Sequence, residues 1–190
     1  AYARRDYDAS ARHSQESLTY FAESGTLHMA AWVRIHQSRI ALARGDAQEA
    51  ASLADLALSV IDPEVEPWGQ SVAYYCLGEA ALAQGDRAAA RDHLRSAVEI
   101  AARCQSVMLL TRFLIGVARL WAQAGRAEEA IELLACVQDH PATWHEARER
   151  AADLAGTIAE DLPARTVRAA AARGGRRTLD EMVALVLAGN

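Results

Sequence analysis

The chain has 190 residues, of which 43 are alanine, 20 arginine and none lysine, and carries a formal net charge of -5. Strand formers such as Val, Ile, Thr, Tyr and Phe are sparse beside Ala, Leu, Arg and Glu, which argues for helices and against a sandwich or barrel, while the modest charge and recurring apolar residues argue against disorder. The longest uncharged run, Pro67 to Gly78 with 12 residues, falls short of the roughly 18 needed to span a membrane, and an acidic pI of 5.7 gives nucleic acid no basic face.

The chain opens on Ala-Tyr-Ala-Arg-Arg-Asp, inside a helical pattern and with no basic, apolar leader, as expected of a piece of a longer cytoplasmic protein. Residues 6–24 read as the second helix of a unit whose first helix is missing. Helix pairs then follow at 27–44 with 46–61, 68–84 with 86–103, and 106–124 with 126–139. Pro63 and Pro67 fall between helices, where proline is tolerated. Beyond His140-Pro141 come an amphipathic helix over 142–161 carrying Trp144, Leu154 and Ile158, a short one from Pro163 to Arg173, and a last one. Thr178-Leu-Asp-Glu181 has the capping-box spacing that starts this last helix, Met182 to Leu187.

The pairs repeat. Ala41-Leu-Ala-Arg-Gly-Asp-Ala-Gln-Glu-Ala50, Ala81-Leu-Ala-Gln-Gly-Asp-Arg-Ala-Ala-Ala90 and Trp121-Ala-Gln-Ala-Gly-Arg-Ala-Glu-Glu-Ala130 align with glycines at 45, 85 and 125, two spacings of 40. Arg5-Asp6-Tyr7 sits one period earlier. Glycine suits the left-handed position past a helix end, and Asp46 or Asp86 beside it can cap the next helix. The crossings want small residues, which Gly78, Ala81, Ala90 and Ala97 supply around Leu94. Ser38, Ala41, Ala50, Ala54 and Ala57 stand at those places one unit earlier, and Ala118, Trp121, Ala130, Leu134 and Val137 one unit later. Ser10, Ser14 and Ser17 offer a small but polar version near the start.

Leu77-Gly78, Ala81, the Gly85-Asp86 turn, Ala90, Leu94 and Ala97 resemble the tetratricopeptide repeat, with Gln37 departing from the family's leucine. The resemblance implies an all-α, right-handed superhelical solenoid of antiparallel helix pairs. Its units would be a partial one at 1–25, then 26–65, 66–105 and 106–140, with capping helices over 141–190 covering the last apolar face. The 40-residue period and the C-terminal tail resemble MalT-like regulators and related signal-transduction ATPases with numerous domains. That likeness implies a sensor or scaffold region of a larger bacterial transcriptional or signalling regulator, working with upstream domains of its own chain. The alternative is a stand-alone adaptor that docks a peptide or protein.

Shifting a helical wheel by 40 residues predicts a concave stripe: Trp32, Ile35 and Arg39, then Val72, Tyr75 and Glu79, then Arg112, Ile115 and Arg119. Aromatic, aliphatic and guanidinium groups together suit a peptide or protein partner or a small inducer, though Ile35 and Ile115 also suit packing between units. Nothing points to catalysis or a cofactor. There is no His-Glu-x-x-His, and a chain without lysine has no Walker-type phosphate loop or Schiff base. Cys76, Cys104 and Cys136 read as buried thiols. Arg165, Arg168, Arg173, Arg176 and Arg177 read as a solvated helix end and loop, with Arg173 favourable at a helix C-terminus. Trp68 is expected to staple an inter-unit corner. Leu18, Tyr20 and Phe21, lacking a partner helix, are expected to leave an exposed face open to self-association.

Overall fold

The computed structural model describes residues 7–189, the side chain of Ala22 excepted; Arg5 and Asp6 of the earliest turn lie outside them. These residues form ten helices and no strand: α1 (Tyr7–Glu23), α2 (Leu27–Arg44), α3 (Ala47–Leu58), α4 (Pro67–Gln84), α5 (Arg87–Arg103), α6 (Val107–Gln123), α7 (Ala127–Asp139), α8 (His145–Ala159), α9 (Ala164–Gly174) and α10 (Leu179–Leu187). Most ends fall within a residue or two of the pattern. Two do not. α3 stops at Leu58 instead of 61 because Asp62 stands before Pro63, where the α conformation is disfavoured, and its carboxylate instead accepts from Glu64 N at 2.9 Å. α8 starts at His145 instead of 142, with Trp144 extended at its N-cap. Pro67 is not between helices but opens α4, where a missing N–H costs nothing.

The chain divides into two compact units, residues 1–100 and 101–190. In the first, α1 and α3 pack on α2, and α4 packs on both α2 and α3. Gly45 and Gly85 lie left-handed at φ 84° and 80°. Asp46 then accepts from Glu49 N at 2.9 Å and Asp86 from Ala89 N at 3.0 Å, so each turn closes one helix and caps the next. Ala41, Ala50, Ala54, Ala57, Ala90, Leu94 and Ala97 are all buried. Ser38, at the place of Gly78, is buried and donates to the Ala50 carbonyl at 2.7 Å, which pins that crossing.

α1 meets α2 through its serines. Ser10 and Ser14 are buried, and Ser14 returns its hydroxyl to the Ser10 carbonyl at 2.8 Å, the usual way a helix absorbs a buried hydroxyl. The Ser10 hydroxyl lies 2.9 Å from His36 Nε2. Burial, then the Arg39 charge, holds His36 below its ordinary value. The unfolded chain therefore binds this proton more readily than the folded one. The stability that neutral His36 brings is full above its unfolded pKa of about 6.5, and it is lost as pH falls from there through the lower folded value. Thermal melts from pH 7.5 to 5 should show this loss in the wild type and a shallower one in His36→Gln.

In the second unit α6 packs on α7, and α8, α9 and α10 cover that pair. Ala118, Ala130, Leu134 and Val137 are buried as the repeat requires. The third turn keeps Gly125 at φ 81° but replaces the capping aspartate by Arg126. This guanidinium sits 4.5 Å over the Trp121 ring and reaches Glu129 at 3.2 Å. Trp121 and Arg126, two departures from the repeat, therefore act as one contact. At the end of the unit the capping box forms as read: Glu181 N donates to Thr178 Oγ1 at 3.2 Å and Thr178 N to Glu181 Oε2 at 2.9 Å.

Two of the five C-terminal arginines, on the solvated helix end and loop as read, with side chains 46% and 42% exposed, also make a structural contact. Glu132 of α7 is buried, with Arg173 Nε at 2.8 Å and Arg177 Nε at 3.2 Å, and Arg173 also reaches Glu128 at 3.4 Å. Hydrogen bonding to Glu132 pushes the Arg173 pKa up. Cys136 is buried beside them, donating to the Arg177 carbonyl at 3.5 Å. Burial and the Asp139 and Glu181 carboxylates raise its thiol pKa, away from thiolate reactivity. Cys76 is buried too, whereas Cys104, expected inside, is only half-buried.

Candidate functional site

α2 and α4 pack together, so the predicted stripe is assembled from adjacent helices, but much of it is interior. Ile35 is 2% exposed and Tyr75 3%, with Glu79 and Val72 buried as well. Apolar Ile35 and Val72 follow the hydrophobic effect inward, as the packing alternative for Ile35 required. Arg39 stays half-buried at the edge. Trp32 lies with its indole on the α4 backbone, where a Cβ at Gly69 would meet its Cζ2 at 3.3 Å. Its outer part is open to solvent. Trp68, expected at that corner, is 51% exposed, and Trp32 and Ile61 lie against Gly69 beside it.

In the second unit Arg112 and Arg119 of α6 are half-buried and Ile115 is buried. Here the structure makes a cleft. A cavity of about 120 Å³ between α6 and the start of α8 is lined by Met108, Leu109, Arg112, Ile115, Trp144 and Arg150, with Glu146 and Ala147 completing it. Trp144, expected on the apolar face of a helix, caps α8 and is 64% exposed. Its indole, the Met108 thioether and two guanidiniums thus share one opening. Chemically this set holds an apolar or flat group against the indole and a carboxylate against forked N–H donors.

Of the cleft's lining, the predicted stripe includes Arg112 and Ile115 but not Trp144 or Arg150. A tryptophan just ahead of a helix start was the available signal. Which face of α6 it covers depends on how α8 packs, and no period reaches that far. Among the described residues no group of His, Cys, Asp and Glu side chains is placed to hold a metal ion. No described helix is long and apolar enough to cross a membrane.

The α2–α3 and α4–α5 crossings are what comparison with known families matches. Residues 31–55 and 71–96 match the family model of the tetratricopeptide repeat. They hold the Gly45 and Gly85 turns and the small-residue crossings around Ser38 and Gly78. Repeats of this family are in general protein-interaction modules. Searches of curated proteins and of solved structures each returned no match.

Proposed function

We propose that this chain is a non-catalytic interaction module, the C-terminal sensor or scaffold region of a larger bacterial regulator, and that its ligand seats at the Trp144 cleft. The cleft itself carries the reading. Exposed Trp144 and Met108 stand beside half-buried Arg112 and Arg150 in the second unit, where α8 closes over α6. A partner segment or small inducer that presents a carboxylate next to an apolar group fits that set. Arg119 is proposed as a flanking contact within the second unit, and Arg39 with Trp32 as a separate contact surface within the first. The tetratricopeptide repeats support a binding role, and the 40-residue period supports the regulator context.

A thermal-shift screen of the intact chain against sugars, short peptides and dicarboxylates supplies a probe. For whichever compound raises the melting temperature, Arg112→Glu and Trp144→Ala should each weaken affinity at least about tenfold, equivalent to about 1.4 kcal/mol. Far-UV circular dichroism should stay unchanged, since neither side chain is part of the buried core. Arg119→Glu should weaken it less. Full affinity in both Arg112→Glu and Trp144→Ala would remove the cleft from the binding surface.

A further inference from the structure

α1, α2 and α3 enclose a second opening in the first unit, unlike the stripe in both shape and charge. It measures about 570 Å³. α2 is the floor, with Ile40 and Ala41 buried beneath. Leu18 of α1 and Leu53 and Leu56 of α3 form the apolar walls. Leu56 is exposed and the other two are half-buried, so the walls leave leucine surface in water.

The α2 residues of this opening, Arg34, Gln37, Ile40, Ala41 and Arg44, cluster on one arc at about 100° per residue. Trp32, Ile35 and Arg39 fall on the opposite arc. The two surfaces therefore cannot share one ligand. Charge is uneven around the rim: Arg12, Arg34 and Arg44 stand against the single carboxylate Glu49. Arg44 is paired with Asp8. Arg12 and Arg34 make no ion pair among the described residues. In a chain of net charge -5 this is a local reversal of sign.

We propose that this groove is a docking site for an acidic amphipathic helix of a partner protein. From Arg34 to Arg44 the floor runs about 15 Å, close to three helical turns. Wall leucines at 53 and 56, facing Leu18, receive apolar side chains spaced i, i+3 and i+7. Arg12 and Arg34 then receive Asp or Glu on the flanks of that stripe, their forks matching carboxylates. No described strand offers an edge to an extended peptide. Gln37 Nε2 donates to Gln15 Oε1 at 3.5 Å, a long bond that a ligand can exchange for its own.

The test uses the intact chain and a synthetic peptide of about 18 residues, long enough for marginal helicity. Its leucines lie at helical spacing and its other positions are Ala and Glu; a twin carries Lys for Glu. Fluorescence anisotropy should show the acidic peptide binding at least about tenfold tighter than its twin, with the difference shrinking as salt rises. The double variant Arg12→Glu/Arg34→Glu should abolish that preference, and Leu56→Asp should weaken the acidic peptide about tenfold. All three side chains reach solvent, so melting temperatures should hold. Arg112→Glu should leave this binding intact, which separates it from the cleft in the second unit. Equal affinity for the twins, or no loss in the double variant, overturns the proposal. So does a concentration-dependent dimer in sedimentation that the double variant dissolves, since the occupant is then a second copy.

Discussion

Gly174→Ala should unseat α9 from α7 and destabilise the second unit by about 3 kcal/mol, the upper range for overpacking. A Cβ at Gly174 would lie 2.0 Å from the Glu132 carbonyl oxygen and 2.8 Å from the Ala135 Cβ. Both obstacles belong to the α7 backbone or stand directly on it. No side chain can rotate away, so α9 itself has to lift. Lifting also withdraws Arg173 and Arg177 from Glu132, which is 8% exposed and is then left as a buried carboxylate without its partners. Urea unfolding followed by circular dichroism measures the loss, and hydrogen exchange should show α9 amides losing protection first. Gly156→Ala is the control. Nothing lies within 4 Å of its added methyl, so inside α8 the same exchange should stabilise by about 0.5–1 kcal/mol. Equal effects at the two glycines would mean that helix propensity, not the α7–α9 approach, sets the outcome.

The second large effect belongs to the α4–α5 crossing. Leu94→Ala removes a side chain only 1% exposed and should cost about 2–5 kcal/mol. Gly78→Ala should cost about 1–3 kcal/mol by overpacking, because its Cβ would meet Leu94 Cγ at 2.7 Å and Cδ2 at 2.8 Å. The two changes press on one volume from opposite sides. Combined, the methyl at 78 occupies part of the space that Leu94 vacates. The double variant should therefore be clearly more stable than the sum of the single losses predicts. Strict additivity in denaturant melts would show that Gly78 and Leu94 do not share this space.

The local pattern made most helix boundaries legible. Gly45, Gly85 and Gly125 mark chain reversals because only a residue without Cβ takes the left-handed position freely. Asp46, Asp86 and Thr178 mark helix starts because their side chains reach amides three residues on. Alanine at 41, 50, 90 and 97 marked the crossings, since small residues recurring at helical spacing let two backbones approach. The places where the reading slipped were also local: Pro63 halts α3 through the residue before it, and Trp144 sits one step outside α8.

The candidate sites were legible only in part. Periodicity placed Ile35, Tyr75, Glu79 and Ile115 on one face, but that face is largely shut. A wheel gives direction and not the depth of the neighbour. What the sequence determined by itself is the run of helices, the turns between them and the small-residue crossings, all set by interactions within a few residues or by a repeat that copies them. What only the tertiary structure decided is the partnering of distant residues. Arg173 and Arg177, on the solvated helix end and loop, also close on Glu132, more than forty residues away. Arg112 gained Trp144 and Arg150 the same way, and Arg34 gained Arg12 and Leu56. Those encounters depend on how whole helices stack, and no spacing along the chain encodes that.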